Sequence, residues 1–218
     1  MRRIVGHRRG VETVRTIVEE CSRLGIGYLT LYAFSSENWL RPKTEVGALM
    51  SLLKRFVKVE AGRMMQNNIR FNVIGNRDDL PADVIREVDA AIVTTSQNTG
   101  MTLTLALSYG GRQEIMRAAS LLAADVAAGR VAAATFDEEL FGGYLFTRDI
   151  PDPDLLIRTS GEMRISNFLL WQLAYAELYF TDVNWPDFNT AELHKALLDY
   201  QARERRFGRT SDQLHKGN

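Results

Sequence analysis

The sequence has 218 residues, 27 basic and 27 acidic side chains, and 45% apolar residues. That length can bury the core of one large domain; the apolar content excludes general disorder, and the neutral balance disfavours a general nucleic-acid binder. A single cysteine, Cys21, rules out an internal disulfide framework and fits a reducing compartment, while no apolar run approaches the ~20 residues of a membrane span and no secretory signal is visible, so a cytoplasmic chain is expected.

In chain order, residues 1–10, MRRIVGHRRG, read as a basic loop flanked by glycine. Val11, Val14, Ile17, Val18, Cys21 and Leu24 recur at helical spacing, which predicts a helix over 11–24 ended by Gly25 and Gly27. Residues 28–34, YLTLYAF, have the continuous apolar character of a buried parallel strand. The polar run SSENWLR at 35–41 follows as a loop. A long helix is expected over 45–67, with Val46, Leu49, Leu53, Phe56, Val57 and Met64 on its apolar side. Next come a strand over 69–74, a helix opened by Pro81 and running to Thr95, and a strand over 102–107. A glycine loop at 108–112 leads into a helix ending near Ala128. Residues 129–150 look irregular apart from a short helical piece near Glu138. Asn189, with Glu192 three residues on, resembles a capping box for a last helix over 190–206. No repeat or low-complexity linker divides the chain, so residues 1–218 read as one domain.

Strands alternating with helices imply an α/β fold with a mostly parallel central sheet and flanking helices. A sheet of this kind opens with a strand near its middle. This chain opens with a loop and a helix, so its first strand is expected to lie outside residues 1–218. Ligands of such sheets bind beyond the C-terminal ends of the strands. The loops 35–41, 108–112 and 158–166 fall there and carry Arg41, Arg112, Arg158 and Arg164, which suit an anion. Neither of the common glycine-rich nucleotide cradles occurs.

The most informative stretch is 154–188, DLLIRTSGEMRISNFLLWQLAYAELYFTDVNWPDF. It reads as a strand, a polar loop with Arg158 and Arg164, and a helix start whose free N–H groups would add to the guanidinium forks. Glu177 lies in an apolar run and calls for a partner, either a cation or an arginine. On composition alone the same stretch is equally a buried strand–helix–strand unit whose arginines make structural ion pairs.

Five strings bear on function: GHRRG at 6–10, LYAFSSENW at 31–39 followed by Arg41 and Pro42, YGGR at 109–112, nearly all of 154–188, and RRFG at 205–208. Through them the chain resembles the cis-prenyltransferases of the undecaprenyl diphosphate synthase type over essentially its whole length. The resemblance implies a transferase that condenses an allylic diphosphate, such as farnesyl diphosphate, with isopentenyl diphosphate units into a Z-polyprenyl diphosphate, a precursor of cell-wall lipid carriers. It implies Mg²⁺ as cofactor, a homodimer, transient contact with a membrane surface and no nucleic-acid partner. The α/β fold is expected to enclose an apolar tunnel walled by the helices over 45–67 and 85–92 and the strand over 102–107.

By position, the resemblance makes Arg3 and His7 ligands of the allylic diphosphate, and Arg158, Arg164, Ile165 and Ser166 the isopentenyl diphosphate site. Ser35, Ser36, Glu37, Asn38, Trp39 and Arg41 belong to a mobile loop linking the two, with Asn38 as proton acceptor or relay. Glu177 matches the magnesium-associated carboxylate, and Arg206 and Gly208 match a C-terminal motif that reaches the isopentenyl site. Read without the resemblance, His7 is a surface histidine, Trp39 a core or rim aromatic, Glu177 a salt-bridge partner and Arg206 a solvated helix end. The family's first signature, a strand ending in Met-Asp-Gly-Asn, does not occur in the 218 residues. A chain truncated before that aspartate, with little activity of its own, is therefore expected; a non-catalytic subunit of a heteromeric prenyltransferase is the competing reading.

Overall fold

The structure, a computed structural model, describes residues 2–204, and for residues 2–8 the backbone alone. β1 (Tyr28–Ser35), β2 (Arg70–Ile74) and β3 (Thr102–Tyr109) form a parallel sheet in the order β1-β3-β2, and β4 (Leu155–Arg158) pairs in parallel with β5 (Glu177–Phe180). The helices are α1 (Arg2–Arg23), α2 (Lys43–Gln66), α3 (Ala82–Thr95), α4 (Gly111–Ala127), α5 (Glu138–Gly142) and α6 (Thr190–Gln201).

β3 is the central strand and is buried along nearly its whole length. Leu103, Leu105 and Leu107 face a cluster with Ile17 and Cys21 of α1, Phe56 and Val57 of α2, and Val84 and Val88 of α3. Ala106 and Tyr109 belong to a second cluster with Ile74, Phe168 and Leu169. Side chains alternate across a strand, so the two clusters cover opposite faces of the sheet. In β4, Leu156 packs against the second cluster and its neighbour Ile157 against the first. β4 therefore lies in the layer of the larger sheet. Among the described residues, however, no strand pairs with the outer edge of β1 or of β4.

The predicted strands and the helices of residues 28–142 agree with the structure to within about two residues, the usual uncertainty of element ends. The N-terminus differs: the expected basic loop is helical from Arg2. Tertiary contact overrides the low helix propensity of Gly10. A side chain on Gly10 would meet the Trp185 ring at 3.3 Å, and bare backbone lets the indole donate to the Gly10 carbonyl at 3.1 Å. Arg9 pairs with Asp187 at 2.7 Å and Arg15 with the buried Glu60 at 2.5 Å. At least these two of the N-terminal arginines thus serve packing.

α1 ends in a Schellman motif: Gly25 takes φ 75°, its N–H reaches Ser22 O, and the Ile26 N–H reaches Cys21 O at 3.0 Å. Asn189 caps α6 by accepting from Ala191 N and Glu192 N. α6 stops at Gln201, short of the expected 206. α2 and α3 run side by side, with Lys54 pairing Asp83 at 2.6 Å and Lys58 pairing Glu87 at 3.9 Å. Cys21 is 3% exposed, and burial pushes its thiol up to about 12. Among the described residues no helix is long and apolar enough to cross a membrane.

Glu20 ties α1 to α6. The Arg23 guanidinium, and after it the His194 ring, hold its carboxyl at about 2, below the ordinary 4.5. A lowered carboxylate contributes stability that is present above about pH 4.5 and lost as pH falls through about 2. Glu20→Gln is expected to flatten that part of the acid-unfolding curve, read by circular dichroism between pH 4.5 and 2. An unchanged curve would show that Glu20 carries no such linkage.

Candidate active site

Parallel strands deliver their C-terminal ends to one edge, and the loops after β1, β3 and β4 all leave from it. Two irregularities aim these loops. The β1–β3 register slips at Ala33 and again at Ser108, so each strand carries one extra residue near its end. Ser108 sits at φ 46°, in the left-handed region, and its hydroxyl accepts the Trp39 Nε1–H at 2.8 Å while donating to Asp79 Oδ2 at 2.6 Å. Trp39 also packs edge-on against the buried Phe34, with ring centroids 4.8 Å apart. The 35–41 segment is thereby pinned to the end of β3. Nearby, Gly75 at φ 114° passes so close to β3 that a Cβ would lie 2.0 Å from Leu107 O.

Residues 36–40 form one turn of 3₁₀ helix. Asn38 Oδ1 accepts the Ser35 N–H at 3.2 Å. The Ser36 hydroxyl oxygen is buried and has no hydrogen-bond partner among the described residues. Leu40 is 90% exposed, and Arg41 pairs with Glu45 at 3.1 Å.

After β4 the expected helix start is absent. Residues 159–176 form turns instead, with Ser160, Ser166, Asn167 and Leu169 at positive φ. A left-handed residue interrupts the helical hydrogen-bond ladder, and here it recurs before a second turn can form. The anion-binding helix N-terminus inferred from the sequence is therefore not formed at 164–166. Arg158 is half-buried, and its Nε–H is enclosed without a partner among the described residues. Such a donor is costly to leave unpaired, and it suits an incoming oxygen. Arg164 is exposed and pairs with Glu162; Ile165 is half-buried and Ser166 exposed.

The three loops meet at Asn167. Its Nδ2 donates to Glu37 Oε1 at 2.8 Å and to Gln113 Oε1 at 3.0 Å, while its Oδ1 accepts Arg112 N–H at 2.9 Å. Burial raises the Glu37 carboxyl. The Asn167 amide first, then the residue's own N–H and the Ser35 hydroxyl, outweigh that and hold it below the usual range. Phe168 stacks on Tyr32 at 4.5 Å, and the Tyr32 hydroxyl donates to Tyr109 O. Beneath lies Glu114, 1% exposed, which accepts from Tyr109 Oη, Gln172 Nε2 and the Phe146 N–H.

Glu177 takes the arginine of its two sequence alternatives: Arg203 Nη1 lies 2.8 Å from its Oε2 and also bonds Leu178 O. Among the described residues no group of three or more carboxylate, histidine or cysteine side chains could hold a metal ion. A cavity of about 450 Å³ lies beside the N-terminal turns of α2 and α3, lined among others by Trp39, Arg41, Val46, Met50, Asp83 and Val84. The side chains of Arg3 and His7, and all of Arg206 and Gly208, lie outside the described residues.

Residues 1–208 match the family model described as "Putative undecaprenyl diphosphate synthase". The chain belongs to this prenyltransferase family. It is 70% identical to an isoprenyl transferase of Geobacter sulfurreducens over 98% of this chain and 87% of the relative. It is 51% identical to an isoprenyl transferase of Clostridium perfringens, over 94% and 81%. Among solved structures it superposes on lavandulyl diphosphate synthase from Lavandula x intermedia, in complex with dimethylallyl diphosphate, with a TM-score of 0.91 and 40% identity, covering 94% of this chain and 89% of that one. A probable undecaprenyl diphosphate synthase from Campylobacter jejuni gives 0.81 at 33% identity, covering 93% of each. As a family member the protein is an enzyme, a prenyltransferase.

The sequence reading overlooked Asn167 and Ser108. An asparagine or serine beside a glycine loop was the available signal, since these types tolerate left-handed backbone and carry a polar hook. Ser108→Ala in this prenyltransferase leaves the Trp39 indole and Asp79 without their shared hydroxyl. We expect a loss of about 1–3 kcal/mol in urea unfolding; no change would mean that Trp39 is held by packing alone.

Proposed function

We propose that this enzyme joins an allylic diphosphate to isopentenyl diphosphate and repeats the step to build a Z-polyprenyl diphosphate. One observation carries the reading: Arg158 offers an enclosed N–H, unpartnered among the described residues, at the sheet edge where three tied loops converge. An apolar cavity with Arg41 and Lys43 on its lining adds a place for a molecule with an anionic head and a greasy tail.

In each condensation the allylic C1–O bond breaks and diphosphate leaves with the electron pair. C1 bonds to the terminal alkene carbon of isopentenyl diphosphate, and a proton is lost from the adjacent methylene. Negative charge grows on the leaving oxygen, so fixed N–H donors lower the barrier. Arg158, Arg164 and Ser166 hold the isopentenyl head, and Arg3 and His7 the allylic one. An amide has negligible basicity, so Asn38 passes the proton on to a diphosphate oxygen rather than keeping it. Glu37, Trp39 and Arg41 close the 35–41 segment over the pair, and Arg206 and Gly208 reach the isopentenyl head from the C-terminal segment.

Magnesium accompanies the diphosphates in this reading, since Mg²⁺ keeps several waters and needs only one or two protein carboxylates alongside phosphate oxygens. Glu177 would supply one, in exchange for its pairing with Arg203. A second copy of the chain docks on the exposed Tyr175, Leu178 and Phe180, since Phe168 and Leu169 are interior. The 90% exposed Leu40 is a point of transient membrane contact during product release.

Incorporation of labelled isopentenyl diphosphate into butanol-extractable product tests the chemistry. Arg158→Ala is expected to reduce kcat/KM roughly 10–10²-fold, chiefly by raising KM for isopentenyl diphosphate, with unchanged thermal stability. Failure of any allylic primer to support incorporation sinks the reading. Chelation by EDTA is expected to stop turnover and added Mg²⁺ to restore it; turnover insensitive to EDTA removes the metal. Phe180→Glu is expected to shift the light-scattering mass from two chains to one.

A further inference from the structure

Asn167 occupies a position that few side chains fit. Its backbone stands at φ 63°, which asparagine tolerates better than most residues. Its carbonyl accepts the Gly111 N–H at 2.7 Å and its Oδ1 the Arg112 N–H at 2.9 Å, so it supplies acceptors to the first free N–H groups of α4. Its Nδ2 faces the opposite way and donates to Glu37 and Gln113. The site thus needs an acceptor on one side and a donor on the other, which a carboxylate cannot provide. Gly110 makes the approach possible: a Cβ there would lie 2.6 Å from both Asn167 Nδ2 and Ser36 Oγ. On either side of Asn167 stand Ser166, a diphosphate ligand in the reading above, and Phe168, which is stacked into the core.

We infer that Asn167 is a positioning residue: it clamps the Glu37 carboxylate, and with it the 35–41 segment, onto the 164–168 segment, so that the two loops present their ligands to one pair of substrates. The inference rests on the proposed condensation. Without the clamp, Glu37 and its neighbours remain in place chemically but are held apart. A misplacement of about 1 Å costs roughly 10²-fold in rate.

The test is a double-mutant cycle on kcat and KM for isopentenyl diphosphate. Asn167→Asp keeps the acceptor for Arg112 but loses the donor and sets a like charge against Glu37. It is expected to lower kcat roughly 10²-fold. Glu37→Gln reverses the polarity, because its amide can donate to the new carboxylate. Asn167→Asp is therefore expected to cost no more than about tenfold in the Glu37→Gln background, a rescue that a purely structural role would not give. Asn167→Gly, at ease at φ 63°, is the second arm: it removes the contact without adding charge, and combined with Glu37→Gln it is expected to be no slower than the worse single variant. If Asn167→Asp does not fold, the glycine cycle decides alone. Losses that multiply independently in both backgrounds, or full rates in either Asn167 variant, overturn the role of Asn167. Absence of turnover in the unsubstituted chain strikes the condensation reading itself.

Discussion

The site depends on β3 being buried on both faces. A parallel strand covered by apolar side chains above and below cannot slide without exposing one set, so its register against β1 and β2 is fixed. Its C-terminal end then becomes the reference point for everything polar. Ser108 leaves the ladder there as a bulge and catches Trp39; Tyr109 turns inward to Glu114; Gly110 and Gly111 pass beneath Asn167 and Leu170. Each of these contacts begins within a few residues of the last leucine of the core.

What stands over that edge is built from loops, and loops need anchors. The chain provides them as side-chain hooks between segments distant in sequence: Trp39 to Ser108, Asn167 to Glu37 and Arg112, Gln172 to Glu114. These groups leave few polar atoms unmatched. Among the described residues the enclosed Arg158 Nε, Ser36 Oγ and Gln172 Oε1 lack a partner, and the first two stand at the strand ends where ligands of α/β sheets bind. Elsewhere most arginines are committed to partners, among them Arg9, Arg15, Arg41, Arg164 and Arg203. Arginine content alone therefore overstates how much positive charge is available to a substrate.

Much of this was legible in the sequence, and the rest was hidden for identifiable reasons. Residues 28–128 alternate between unbroken apolar runs and helical spacing, so their strands and helices follow from periodicity, and the convergence of the loops follows from parallel topology. The N-terminal helix was hidden because Trp185, which accommodates Gly10, lies far away in the chain. The stretch after β4 was misread because its apolar residues are compatible with a helix, while the left-handed turns at Ser166, Asn167 and Leu169 depend on contacts with α4 and Tyr32. The motif strings located Arg158 and Glu37 but gave no hint that an asparagine inside one string holds another in place. Glu177 shows the reverse case: the sequence required a partner, and the structure supplies Arg203.

Cys21 has a practical consequence. It is the sole thiol in the chain, sealed beneath α1 and held far from its reactive form. A maleimide dye therefore finds no background site on the folded protein. A cysteine placed at Leu40 would stand in open solvent at the tip of the 35–41 segment. Fluorescence from that position would show directly whether the segment shifts when a ligand is added.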